Sequence, residues 1–398
     1  MSNLDYDPFS ADAQQDPYPA YEQMLADEPV YHNAERGFWA LSRFEDVDEA
    51  ARDWRLFSSA AGVRVDDLLA LAGPSFITMD PPRHGVLRAI VRKDLQPRTV
   101  ARLGPVIEDK ARQILAQICW DDEVDLAGQF AKKLPVMVIC ELMGLPHQDG
   151  PTLKAWADDM LQSADGASTS AAVAASDSLR AYFSEQLEQR RSHPSDDLLG
   201  RLVSADLPEP LTPEEEIGMC NLLFEAGNST TTSLIGNGLL ALGTNPQQRS
   251  WLAARPDAMP QAVDELLRYD SPVQNQVRVT TAPVELHGTV IPAGATVMLV
   301  LGAANRDPRV WTDPDELRLD REEQRNLAFG TGIHHCIGAP LARLEGRIAL
   351  RLLLAVMPDF EVIRAERFPD VTLRMLRQLY VRPGPRRNLS TAHGPEAA

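Results

Sequence analysis

The chain has 398 residues, 44% hydrophobic and 24% charged, an ordinary globular composition with length enough for a large core. Its net charge of −18 argues against nucleic acid or an anionic membrane surface as a partner. Four scattered cysteines lack paired or metal-type spacing, and no uncharged apolar run approaches the roughly 18 residues of a membrane span, so a reducing, cytoplasmic setting is expected.

Residues 1–23 are polar and carry several prolines, without a signal peptide or membrane anchor, and 1–16 read as a loose tail. A short helix, two strand-like pieces at 29–32 and 37–42, and another helix follow. The stretch 57–78 is irregular, and Arg64 within it reads as a solvated arginine, with contact to an acidic substrate group as the alternative. Asp80-Pro81-Pro82 is a turn-to-helix signal. On the helix it opens, His84 and Arg88 are four apart and share a face. Residues 134–146 are apolar except for Glu141 and read as a buried helix, with Cys140 as inert packing. Residues 163–178 are small and polar and read as a loop.

The longest predicted helix has Thr212 as N-cap, Pro213 as first residue and Glu215 as reciprocal capping glutamate. Its pattern runs to about Gly243, roughly 30 residues against a usual mean of about 11–12. At its centre, LLFEAGNSTTTSLIGNG, Ala226 and Gly227 would let a flat ligand lie against the backbone, while Thr230 and Thr231 supply hydroxyls. A core helix with a few internal hydroxyls is the alternative. Glu265 and Arg268 can pair at i, i+3 on a helix ending near Asp270. Residues 282–301 are rich in β-branched types, with turn signals at Gly288 and Pro292-Ala293-Gly294, and read as hairpins. LRMLRQLYVRP reads as part of a strand pair, and the polar residues 384–398 as a flexible tail.

Between the two predicted β regions lies LAFGTGIHHCIGAPLARLE, residues 327–345. Gly330, Gly332 and Gly338 allow close backbone approach, and Ala339-Pro340-Leu341 starts an apolar helix. Cys336 precedes that helix N-terminus, where the dipole favours an anion, so its thiol is expected to ionise readily. With Phe329 as cover, a lone thiolate there suits an axial ligand to haem iron. A single cysteine is usually a small buried hydrophobe, but Phe-Gly-x-Gly-x-His-x-Cys-x-Gly matches at six of ten consecutive positions. At these residues the chain resembles the cytochrome P450 family in its soluble bacterial form, and the resemblance extends over nearly the whole length.

The resemblance implies one domain over 1–398 with a mainly α (α+β) fold. A large helical part and a smaller β-sheet region would hold haem b between the central long helix and the cysteine-loop helix. It implies Cys336 as the iron ligand, with Phe329, Gly330 and Gly338 around it, and His84, Arg88, Arg278 and His334 toward the haem propionates. Glu265, Arg268 and Arg321 would form a structural triad that fixes the cysteine loop. The 57–78 loop would wall the substrate pocket, residues 163–178 would form a mobile lid instead of a plain loop, and the turn near Met375-Leu376 would touch substrate.

The implied function is a haem-thiolate monooxygenase. It would insert one oxygen atom from O2 into a small apolar or aromatic organic molecule, by hydroxylation, O-demethylation or epoxidation. The protein would act as a monomer, with electrons from ferredoxin and ferredoxin reductase docking near Arg92, Lys93 and Arg343. Thr230 would hydrogen-bond dioxygen, within the stretch Gly227-Asn228-Ser229-Thr230. The family's acid at the position of Ser229 is missing here. Three readings follow: proton delivery by another route such as Glu225 or water, peroxide use, or chemistry like that of nitric oxide reductase. A haem-binding sensor without turnover is the non-enzymatic alternative.

Overall fold

The computed structural model describes residues 4–66, 71–120, 122–161, 163–164, 167–322 and 324–385. Helices dominate, and α8 (Pro213–Thr244) is the axis on which they pack. Its start follows the expected capping box: the Thr212 hydroxyl accepts from the Glu215 amide at 3.2 Å, and the Glu215 carboxylate accepts from the Thr212 amide at 2.9 Å. Glu214, Glu215 and Glu216 add negative charge where the helix dipole favours it. Most of α8 is buried on every side, as suits a helix inside a large core.

Before α8 come α1 (Tyr18–Asp27), α2 (Phe44–Arg52), α3 (Arg83–Arg92), α4 (Gly104–Gln117), α5 (Lys133–Met143), α6 (Gly150–Met160) and α7 (Ser170–Ser192). After it come α9 (Met259–Tyr269) and α10 (Ala339–Val356). Two apolar clusters divide α8 along its length. Ile217 and Phe224 pack with Leu153 of α6 and Leu179 of α7. Leu234, Ile235 and Leu239 pack with Leu115, Leu134, Val263 and Leu350 of α4, α5, α9 and α10.

The β region forms a five-stranded sheet from β1 (Val30–Asn33), β2 (Phe38–Leu41), β3 (Phe57–Ser58), β5 (Gln276–Thr280) and β8 (Thr296–Leu299), in the order β1-β2-β8-β5-β3. β8 runs parallel to β2 and antiparallel to β5. The hairpin of β6 (Val284–Leu286) and β7 (Thr289–Ile291) turns through His287 and Gly288, with φ of 51° and 76°, a primed-turn geometry for which glycine is suited. The third sheet has order β9-β10-β4, from β4 (Val124–Asp125), β9 (Phe360–Arg367) and β10 (Leu376–Pro383).

Several expectations are corrected. The N-terminal segment is anchored from residue 4 onward: Tyr6 is buried, its amide donates to Tyr31 Oη at 3.1 Å, and Asn33 Nδ2 donates to its carbonyl at 2.9 Å. Residues 163–178 are no single loop, since Ser163–Ala164 pairs with Ala167–Ser168 and α7 begins at Ser170. Small residues with high helix propensity, capped by Thr169, explain that start. Residues 386–398 lie outside the described residues. Cys140 is buried as expected, and burial pushes its thiol up to about 12.

Two buried ion clusters tie the parts together. Glu265 binds Arg268 through both carboxylate oxygens at 2.7 and 2.8 Å, and Arg321 Nε at 3.2 Å. The guanidiniums then donate to carbonyls: Arg268 to Asn305, Pro314 and Glu316, Arg321 to Thr312, Asp313 and Glu316. In the second cluster Asp270 accepts from Tyr18 Oη at 2.7 Å, Arg374 at 2.6 Å and Arg367 at 2.9 Å. It joins α1, α9 and β9. Burial raises the Asp270 carboxyl, but the two guanidiniums win and hold it down at about 2.

Arg268→Ala, which leaves Glu265 buried with half its partners, should lower stability by about 3–5 kcal/mol in denaturant titration. Because Asp270 is more acidic folded than unfolded, its stabilisation is complete above the unfolded value of 3.8 and fades as pH falls toward about 2. The shift corresponds to about 2 kcal/mol, so Asp270→Asn should flatten the acid limb of the stability–pH curve below about pH 4.

Candidate active site

The cysteine loop is shaped by its backbone. Gly330 and Gly332 have φ of 63° and 68°. A Cβ on Gly332 would lie 2.6 Å from the Ala51 carbonyl oxygen at the end of α2. The Cys336 amide donates to the Phe329 carbonyl at 2.8 Å, and the Leu327 amide to Asn305 Oδ1 at 2.7 Å. Asn305 thereby links the loop to the carbonyl set bound by Arg268.

Cys336 sits two residues before Gly338, the N-cap of α10. The expectation of a readily ionised thiol is corrected in direction: burial raises its pKa, and outweighs the amides of Gly338 and Ala339 and the charges of Arg88 and Arg343 that pull it down. The dipole is present, but desolvation is the larger effect; a bound metal ion would supply the missing stabilisation. Phe329 flanks the loop, with the Arg343 guanidinium 4.5 Å from its ring centroid.

Four basic groups converge beside this loop. His84 and Arg88 come from one face of α3, Arg278 from β5 and His334 from the loop itself. The rings of His84 and His334 are 4.6 Å apart, edge to face. Arg88 donates to the His335 carbonyl. Arg278 is 2% exposed, yet among the described residues its hydrogen bonds go only to the Val277 carbonyl and Gln276 Oε1. Burial lowers all four pKa values, Arg278 to about 10 and His334 to about 3, with mutual repulsion adding at His334. Asp80 is the nearby carboxylate, and it is engaged by Ser58 Oγ at 2.5 Å and the Ser59 amide at 3.2 Å. Among the described residues, the His84 Nε2 atom and both ring nitrogens of His334 are buried without a partner. Two desolvated guanidiniums require an anion, and the unpartnered imidazoles beside them can donate to it; the two propionates of a haem carried on Cys336 fit the donor set. Sequence reasoning missed Phe76, whose ring meets His84 edge-on at 6.2 Å and lies 5.7 Å from the Arg88 guanidinium. A lone aromatic in an irregular stretch gives no spacing signal.

Across the site, α8 interrupts its burial. Ala226 is exposed, and Leu222, Glu225 and Thr230 are half-buried, all on one helix face. Thr230 Oγ1 donates to the Ala226 carbonyl at 2.7 Å, which spends its proton and leaves acceptor capacity. Asn228 and Ser229 are wholly buried; among the described residues the Asn228 amide has no partner and the Ser229 hydroxyl none but Glu225. Gly227 does not have the expected role, because a Cβ there would lie 2.8 Å from Ile139 Cδ1. It allows α5 to approach α8, and the face open to a ligand is that of Ala226.

Three further expectations change. Arg64 is neither solvated nor open to an acidic substrate: it binds Asp66 at 2.7 Å through two nitrogens and Asp370 at 3.1 Å. Met375 and Leu376 are buried, and Leu376 packs over Gly236, a turn and a half beyond Thr230. Arg343 is committed to Asp264 at 2.7 Å, while Arg92 and Lys93 are exposed. A cleft of about 680 Å³, whose lining includes Arg325, Phe329, His335 and Arg343, opens on the outer side of the cysteine loop.

The family model "Cytochrome P450" matches residues 257–385. Vitamin D(3) 25-hydroxylase of Pseudonocardia autotrophica is 39% identical over 96% of this chain and 97% of its own length. A putative cytochrome P450 of Mycobacterium tuberculosis is 37% identical, covering 89% of this chain and 90% of its own. Among solved structures, a P450 for C–S bond formation in chuangxinmycin biosynthesis superposes with a TM-score of 0.89 at 31% identity, covering 97% of this chain and 99% of that one. A Bacillus megaterium P450 in complex with testosterone gives 0.87 at 30% identity, over 94% and 100%. These similarities extend beyond the cysteine loop to nearly the full length, and the chain belongs to the cytochrome P450 family, a haem-thiolate monooxygenase that binds haem b.

Proposed function

We propose that the chain is a single catalytic unit that inserts one oxygen atom from O2 into a small apolar or aromatic organic substrate, with electrons from a ferredoxin and its reductase. The observation that carries the site assignment is the set of four basic groups without an anion of their own beside Cys336. Arg88, Arg278, His84 and His334 would hold the propionates, and Cys336 the iron. Bound haem supplies oxygen activation, favoured by thiolate ligation.

The protein's own residues do the rest. Phe329 and the loop glycines keep water from the sulfur. The apolar cluster of α6, α7 and the first half of α8 supplies a dry wall above the exposed Ala226 face. The Thr230 oxygen, with its proton given to Ala226, accepts a hydrogen bond at the reacting centre. Ferredoxin would approach the cleft that exposes Phe329, His335 and Arg343. Exposed Arg92 and Lys93 are further candidates for that contact. A monomeric, cytoplasmic protein is in keeping with this reading.

The reduced protein with carbon monoxide should show the absorption diagnostic of thiolate ligation. Cys336→Ala should abolish it; a variant that keeps the spectrum would refute the assignment. A second reading rests on Ala226-Gly227-Asn228-Ser229-Thr230, which resembles nitric oxide reductases and places no carboxylate at position 229. Nitrous oxide formed from NADH and nitric oxide by the protein alone would favour it; the monooxygenase reading expects none without redox partners.

A further inference from the structure

Position 229 carries a hydroxyl where the chemistry needs an acid, yet α8 has a carboxyl one turn earlier. Glu225 and Ser229 are four apart, so their Cβ atoms lie about 5–6 Å from each other on one face. Among the described residues, the buried carboxyl oxygens of Glu225 and the buried Ser229 hydroxyl have no partner beyond one another: Ser229 lowers the Glu225 pKa as a side-chain hydrogen-bond donor, and no third group meets either. An isolated buried carboxylate is costly, so such a group is retained neutral or serves a ligand or a proton. The next positions on the same face, Ala226 and Thr230, border the site.

We propose that Glu225 is the proton donor of this chain, acting through the Ser229 hydroxyl toward the oxygen site at Thr230. This rests on the monooxygenase reading above and says which residue replaces the missing acid. A serine hydroxyl passes a proton only while accepting another, so it needs a source behind it. Glu225 gives its proton to the Ser229 oxygen as Ser229 gives its own to the oxygen side. Glu225 is then reprotonated from solvent, so neither side chain is consumed. Overall, substrate, dioxygen, two electrons and two protons become hydroxylated product and water.

The surroundings suit this role. Burial is the main influence and raises the Glu225 carboxyl to about 7; Ser229 and Lys154 lower it, and Asp158 and Asp370 raise it. Lys154 and Asp158 of α6 are paired with each other, and Asp370 is held by Arg64, so neither cluster provides a dedicated counter-ion. The Asp158 side chain is 27% exposed and offers a route to solvent. Asn228 and Thr232, also buried with unpartnered polar atoms, continue the polar line along α8.

The test uses the haem-loaded protein reduced by NADPH through a surrogate ferredoxin pair, without substrate. Dioxygen then leaves either as hydrogen peroxide, after two electrons and two protons, or as two waters, after four of each. Water formation depends on proton delivery. In the wild type the peroxide share should rise as pH rises through about 7, where Glu225 loses its proton. Glu225→Gln should remove that inflection and lower water formation on the order of tenfold to a hundredfold. Ser229→Ala should behave alike, and Glu225→Asp should recover part of the loss. Infrared difference spectra of the ferric protein give a second readout: a carboxyl band titrating near neutral pH, absent from Glu225→Gln. The carbon monoxide spectrum separates the two levels of the argument, because its loss in the wild type would refute the monooxygenase site itself. An unchanged pH profile in Glu225→Gln overturns the relay. So does a variant in which only ligand-induced spin-state shifts change, since Glu225 would then serve substrate recognition.

Discussion

One buried carboxylate, Glu265, governs the shape of the site. It is shared by two guanidiniums, and those guanidiniums gather the carbonyls of residues 305–316. Carbonyls in a compact non-helical segment have few partners of their own, and the arginines supply donors in fixed planar geometry. From Asn305 the constraint passes to Leu327 and so to the start of the cysteine loop. The sulfur is therefore positioned from a helix on the far side of that segment, and not by its own loop alone.

The site it positions is electrostatically incomplete as protein. A chain with net charge −18 gathers His84, Arg88, Arg278 and His334 in one buried place and holds back a carboxylate from them. On the opposite wall it buries Glu225, Asn228 and Ser229 with no partner, among the described residues, beyond the contact of Glu225 with Ser229. Each arrangement is unfavourable in isolation. A dianionic cofactor would relieve the first, and the proposed proton relay the second. Polar groups left unmatched in the interior are thus the features that most directly indicate the chemistry.

Local rules made much of this legible. The capping box of α8, the i, i+4 pair on α3 and the turn at Gly288 depend on neighbours in sequence, and each occurs as read. The cysteine loop was legible because its spacing is dense. What the sequence hid depends on distant partners. Arg64 meets Asp370, Tyr6 meets Tyr31 and Leu376 meets Gly236, and none of these pairs leaves a periodic trace. The Cys336 thiol illustrates the same limit: the dipole was readable from Pro340, whereas the larger desolvation effect required the surrounding fold.

Gly227 has a consequence for how such an enzyme diversifies. Its α-carbon faces the Ile139 side chain of α5, and a Cβ there would lie 2.8 Å from Ile139 Cδ1, so a larger side chain requires Ile139 to move. The pocket wall is therefore tightly packed here, Gly227 against Ile139, one residue from the exposed Ala226. Variation that widens substrate range must enter through the roof and the connecting segments, where side chains can change size without altering helix spacing. A lineage descended from this chain would drift at its rim while its base stayed frozen.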